Sequence, residues 1–130
     1  MKIEHFALQV ADPRAMADWY VKHLGFLVAR TGGEPSHARF LMEGAGSVML
    51  EIYRNPLAPV PDYFALSPLL LHLAFVSDEP AADRDRLVKA GATIAEDLNA
   101  NPAGDQLVML RDPWGIAVQL VKRAAPMLGR

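Results

Sequence analysis

The stretch Leu69-Leu70-Leu71-His72-Leu73-Ala74-Phe75-Val76 is a continuous apolar run with one histidine at its centre, followed by Ser77-Asp78-Glu79-Pro80. Such a run, closed by a helix-start signal, predicts a strand buried on both faces that hands over to a helix, which places His72 inside. Ile3-Glu4-His5-Phe6-Ala7-Leu8-Gln9-Val10 repeats the pattern, again with a histidine in the strand and again with a helix start, Asp12-Pro13. The correspondence continues along the chain. His5 and His72 are 67 positions apart, Gly25 and Gly91 are 66 apart, and Ser47-Val48-Met49-Leu50-Glu51 aligns with Gly115-Ile116-Ala117-Val118-Gln119 at 68. An offset that drifts so little over some fifty residues is the signature of one supersecondary unit present twice. The duplication sets His5 opposite His72 and Glu51 opposite Gln119.

Each copy predicts the order βαβββ, an α+β pattern. In the first, a strand over about 3–10 leads to a helix capped by Asp12, with Pro13 at its first position and Gly25 at its end. Met16, Trp19, Tyr20 and Leu24 form the apolar stripe expected to pack that helix on a sheet. Strands follow at about 26–30, 37–43 and 47–54, the last two joined around Gly44-Ala45-Gly46. Residues 55–69 carry four prolines and predict an extended connection, on which Tyr63 and Phe64 either cover a cleft or tuck the connection onto the core. The second copy predicts a strand at 70–76, a helix at about 80–90 ending at Gly91, and strands at 92–97, 105–111 and 115–122. Asp112-Pro113-Trp114-Gly115 is the turn between the last two. The tail from Ala124 is expected at the surface. The expected organisation is a single domain over 1–130, with module one at about 1–54, the connection at 55–69 and module two at about 70–123.

Composition narrows the chemistry. The 130 residues, 52% of them hydrophobic, are enough to bury a core. The absence of cysteine removes disulfides, thiolate nucleophiles and thiolate metal ligands together. A net charge of −2 with interspersed signs offers no basic stripe for a phosphate backbone, so nucleic acid is not an expected partner. No apolar run approaches the roughly 18 residues that span a bilayer, and no secretory leader pattern opens the chain. A soluble, cytoplasmic protein with a small-molecule partner is expected.

Strand alternation then decides which side chains can meet. With Phe6, Leu8 and Val10 toward the helix, His5 faces the other way; with Val48, Leu50 and Ile52 toward the helix, so does Glu51. In module two, Leu71, Leu73 and Phe75 oppose His72, and Ile116, Val118 and Leu120 oppose Gln119. All four lie on the face away from the helices, and two such faces curled around one another predict a half-open barrel with His5, Glu51, His72 and Gln119 converging inside. A mid-strand carboxylate among leucine and isoleucine neighbours needs a partner. Two imidazoles and a carboxylate suit a divalent ion, Ni, Zn, Mn or Fe in preference to Mg or Ca. The bland counterpart is a Glu51–histidine ion pair in a wet cleft.

These residues resemble the vicinal oxygen chelate superfamily, which includes glyoxalase I, methylmalonyl-CoA epimerase, fosfomycin-resistance transferases, bleomycin-resistance proteins and extradiol dioxygenases. The resemblance covers residues 3–122 and is carried by Ile3 to Asp12, Leu24-Gly25-Phe26, Leu50-Glu51-Ile52, His72-Leu73-Ala74-Phe75 and Asp112 to Leu120. It implies a glyoxalase-like fold, a homodimer and a metal held by His5, Glu51 and His72. At the eighth-strand position the family usually has glutamate; here it is Gln119, able to ligate through its amide oxygen but unable to take a proton. Glu51 is then the remaining candidate for the catalytic base. Asn55 matches a glutathione-contacting position of glyoxalase I, but Gln9 stands where that family has arginine, which argues against glutathione as a cofactor. The resemblance thus implies a metal-dependent, glyoxalase I-like lyase or isomerase, with a non-catalytic bleomycin-resistance-like binder or a ring-cleaving dioxygenase as alternatives.

Overall fold

Asp12 and Pro13 start the first helix as their residue types dictate. The Asp12 carboxylate accepts the Ala15 N–H at 3.1 Å, and Pro13 fills the first turn of α1 (Pro13–Leu24). Gly25 ends it in the left-handed region at φ 75°, where a side chain is unfavourable, and its N–H returns to the Tyr20 carbonyl. The computed structural model describes residues 1–44 and 46–127. Around α1 stand β1 (His5–Gln9), β2 (Leu27–Thr31), β3 (Arg39–Met42) and β4 (Met49–Tyr53), in the sheet order β1-β4-β3-β2. β1 and β4 are parallel, and the rest of the sheet is antiparallel.

The second set repeats this arrangement. β5 (Leu73–Val76), α2 (Pro80–Lys89), β6 (Thr93–Ala100), β7 (Gln106–Arg111) and β8 (Ala117–Lys122) give a sheet of order β5-β8-β7-β6, with β5 and β8 parallel. The architecture is α+β, two βαβββ modules each with a mixed four-stranded sheet. The chain divides into two compact units, Met1–Pro61 and Asp62–Arg130. In the first, Met16, Tyr20, Leu41 and Ile52 are fully buried; in the second, Leu87, Val108, Leu110 and Val118 are. Burial on this scale, at about 25 cal/mol per Å² of apolar surface, is what holds each helix to its sheet.

Three expectations are corrected. The apolar run that opens module two does not form one strand: Leu69 and Leu70 lie in a turn and are 92% and 74% exposed, and β5 begins only at Leu73. Ser67 is the cause, because its hydroxyl accepts the Leu69 N–H and its carbonyl accepts the Leu70 N–H, which bends the chain before it can pair. His72 is therefore an exposed residue at the mouth of β5 and not an interior one. In α1 the buried stripe is Pro13, Met16, Ala17 and Tyr20, while Trp19 sits on its flank against Tyr20 and His23. In β8 alternation carries no contrast, since Ala117 and Val121 are buried as fully as Val118 and Leu120.

The duplication also breaks at the second helix start. Glu79 occupies the N-cap without a side-chain bond, and the Ser77 hydroxyl instead donates to the Asp83 carboxylate at 2.6 Å. The expected turn at Gly44-Ala45-Gly46 includes Ala45, outside the described residues. Ala124 to Met127 are exposed, and the remainder of the tail lies outside the described residues as well.

Asp105, at the start of β7, ties the end of the sheet together. Its carboxylate accepts the Ala124 N–H at 2.9 Å, the Arg123 guanidinium at 2.7 Å and the Asn101 amide at 3.1 Å. The Ala124 N–H first, then Arg123 and Asn101, hold this carboxyl below the usual carboxylate range. Asp97 is lowered by the Leu98 N–H and by Arg84. At Asp83 burial pulls upward and is outweighed by the Ser77 hydroxyl and the Arg86 guanidinium. A carboxyl whose folded value lies below its unfolded one stabilises above the unfolded value and loses that contribution as pH falls through the folded one. Urea midpoints are therefore expected to drop as pH falls below about 4, and Asp105→Asn to flatten the drop. An unchanged acid slope in Asp105→Asn would remove Asp105 from this account.

Candidate metal centre

Register brings two of the four candidate side chains into contact. On the parallel β1–β4 ladder Ala7 pairs with Glu51, and His5 stands two residues earlier on the same face. His5 Nε2 lies 3.3 Å from Glu51 Oε2. The Glu51 side chain is 19% exposed and that of His5 35%, so the pair is half-sheltered on the sheet. Phe40, on β3, packs edge-on against the His5 ring with centroids 5.6 Å apart.

The other nitrogen of the ring decides the electrostatics of this pair. His5 Nδ1 is 2.8 Å from Glu4 Oε2, and an ionised carboxylate only accepts, so Nδ1 carries the proton. A neutral His5 then turns the Nε2 lone pair toward the Glu51 carboxylate. Two acceptors at that distance repel, and the pair needs positive charge, either a second ring proton or a metal ion.

Module two repeats the register without the carboxylate. Ala74 pairs with Gln119 on the parallel β5–β8 ladder, and His72 again stands two residues before that pair. Its Nδ1 is 2.8 Å from the Pro68 carbonyl, another group that can only accept. Among the described residues no group of three or more His, Asp or Glu side chains is gathered to hold a metal. Imidazole nitrogen, carboxylate oxygen and amide oxygen are nevertheless the donor chemistry of a borderline divalent ion, and the opposed lone pairs of His5 and Glu51 fit one.

Residues around these strands take structural roles that spacing alone did not reveal. The Gln9 side-chain amide donates to the carbonyls of Asn55 and Ala58 at 2.7 and 2.8 Å, and its oxygen accepts the Asn55 N–H at 2.8 Å. Gln9 thus clamps the segment leaving β4. Arg39 donates to the carbonyls of Gly32, His37 and Ala38, and Arg54 to that of Ala11. Arg111 donates to the carbonyls of Tyr63, Leu66 and Gly115 at 2.7–2.9 Å. Tyr63 is buried, so this part of the proline-rich connection is fastened onto the second unit.

Two βαβββ modules, each with a mixed four-stranded sheet, are the glyoxalase-like class of fold. The Glyoxalase/Bleomycin resistance protein/Dioxygenase superfamily matches the chain over residues 2–120, and the chain belongs to that family. No curated protein matches it. Among solved structures, it is similar to TnmS3, an antibiotic binding protein from Streptomyces sp. CB03234, at 21% identity and a TM-score of 0.73, covering 95% of this chain and 97% of that one. A glyoxalase family protein from Enterococcus faecalis is 26% identical with a TM-score of 0.71, over 93% and 97% of the two chains. A glyoxalase I mutant from Zea mays is 20% identical with a TM-score of 0.75, over 95% of this chain and 46% of that one. Among the described residues no helix is long and apolar enough to cross a membrane.

Proposed function

We propose that the chain is a divalent-metal-dependent enzyme of the glyoxalase I-like lyase or isomerase kind, acting on a small oxygen-chelating metabolite. The observation that carries this reading is the confrontation of His5 Nε2 with Glu51 Oε2 at 3.3 Å, a pair of donor atoms that a divalent ion would bridge. His5, Glu51, His72 and the Gln119 amide oxygen are the proposed ligands, and Ni, Zn, Mn or Fe the suitable ions. When bound, such an ion supplies Lewis-acid polarisation of a substrate carbonyl. Glu51 is the proposed base for a proton alpha to that carbonyl, because Gln119 cannot accept one at neutral pH. Gln in place of Glu leaves the site one unit more positive, which favours an anionic substrate. A homodimer belongs to the same proposal, and light scattering measures its mass directly.

The test is proton exchange. The chain loaded with each ion in turn is incubated in deuterated water with small α-hydroxy and α-oxo carboxylates, and deuterium at the alpha carbon is followed by NMR. Incorporation that disappears in Glu51→Gln is expected. Gln119→Glu, which adds a second base, is expected to raise the exchange rate about 10-fold or more at unchanged metal content. No exchange with any ion would sink the isomerase reading. Oxygen uptake with Fe(II) would instead mark ring cleavage. A second reading, binding without turnover, draws on the likeness in fold to an antibiotic-binding protein, and saturable ligand binding without chemistry would favour it.

A further inference from the structure

We infer that Glu4 and the Pro68 carbonyl are positioning groups that make both duplicated histidines present Nε2; this rests on the metal-dependent reading above. In each module the Nδ1 of the histidine lies 2.8 Å from an oxygen that can only accept. That oxygen favours, in a neutral ring, the tautomer with the proton on Nδ1 and the lone pair on Nε2, and at His5 the Nδ1–Glu4 contact at 2.8 Å is shorter than the 3.3 Å from Nε2 to Glu51.

Different local structures reach this result in the two modules. Glu4 precedes β1 and is anchored there by its own carbonyl, which accepts the Met49 N–H at 2.9 Å. Its side chain then turns back to the adjacent ring. Pro68 sits in the turn organised by Ser67, four residues before His72, and offers its backbone oxygen. The repeat therefore retains the orientation of the imidazole while the group that imposes it changes from a side-chain carboxylate to a main-chain carbonyl. Nothing in the βαβββ pattern requires that agreement. A ligand nitrogen presented the same way from both copies supplies a reason for it.

The change of partner also makes the two rings unequal. A carboxylate on Nδ1 makes the opposite nitrogen a stronger donor than a neutral carbonyl does. His5, between Glu4 and Glu51, is the stronger anchor, and His72 the weaker one. Phe40 further limits rotation of the His5 ring, whereas Glu4 is 72% exposed and can be substituted without opening the core.

Two measurements test this. In the metal-free chain, nitrogen-15 NMR of the histidines, at a pH high enough to keep the rings neutral, is expected to show Nδ1 protonated in both His5 and His72. Zinc affinity, read by competition with a chelating dye, is expected to fall about 10–100-fold in Glu4→Ala at an unchanged melting temperature. Glu4→Gln, whose amide oxygen still accepts, is expected to restore part of that loss. A proton on Nε2 of either ring overturns the inference, and so does a Glu4→Ala chain that binds zinc as tightly as the wild type. If the wild type takes up none of the four ions, the metal-dependent reading fails and the positioning role falls with it; if it binds and Glu4→Ala binds equally, only the positioning role fails.

Discussion

Protein purified without chelator or a metal-carrying tag is expected to contain Ni, Zn, Mn or Fe at a near-stoichiometric level, and the His5→Ala/His72→Ala double substitution to bring that to background. The substitutions remove one proposed nitrogen ligand from each module. Both rings are half-exposed or exposed, so truncation takes little from the core, and the fold is expected to survive. Mass spectrometry of the metal, beside a circular dichroism spectrum of the double variant, reads both quantities. A wild type that stays empty after reconstitution with each ion would leave the His5–Glu51 pair as a proton-shared ion pair and move the function to binding.

Gly115→Ala is expected to destabilise the second unit by roughly 2–5 kcal/mol, through two effects that add. Gly115 has φ 91°, a conformation that side-chain-bearing residues adopt only under strain. A Cβ there would also lie 2.6 Å from the Phe64 ring and 2.7 Å from its backbone nitrogen. The ring can swing aside. The backbone cannot do so freely, because Arg111 holds the carbonyls of Tyr63 and Leu66 on either side of it. At about 4 °C per kcal/mol for a domain of this size, the melting temperature should fall by roughly 10 °C or more. A shift within a degree or two would mean that the Phe64 segment peels away from the turn at little cost, and Arg111→Lys would then be equally mild.

The same turn shows how far residue type alone can be read. Asp112-Pro113-Trp114-Gly115 forms as its composition dictates, with the Asp112 carboxylate accepting the N–H groups of Trp114 and Ile116 at 2.9 Å. Helix α1 is equally local: cap, proline and closing glycine all sit within hydrogen-bonding reach of their own turn. The side-chain parity of β1 and β4 follows from a period of two, and Leu8, Leu50 and Ile52 are buried accordingly. The parity argument weakens where its premise does. At β8 both faces are buried, so no alternation in hydrophobicity marks the face that Gln119 occupies. At 69–71 a uniformly apolar run concealed a turn, because leucine reports burial tendency and Ser67 supplied the bend from outside the run.

Sequence by itself determined that this chain is a duplicated βαβββ unit, since equivalent residues recur at a nearly constant offset and each copy carries its own start and stop signals. It also determined that His5 and Glu51 share a face, because the alternation of apolar residues in each strand turns both away from the helix. Tertiary structure decided what those residues do there. The Nδ1 of each histidine faces an oxygen brought up by the residue before β1 or by a turn, and Gln9 and Arg111 act through backbone carbonyls far along the chain. Main-chain oxygens are the same at every residue, so no pattern of residue types reveals which of them folding will bring within 3 Å of a given side chain.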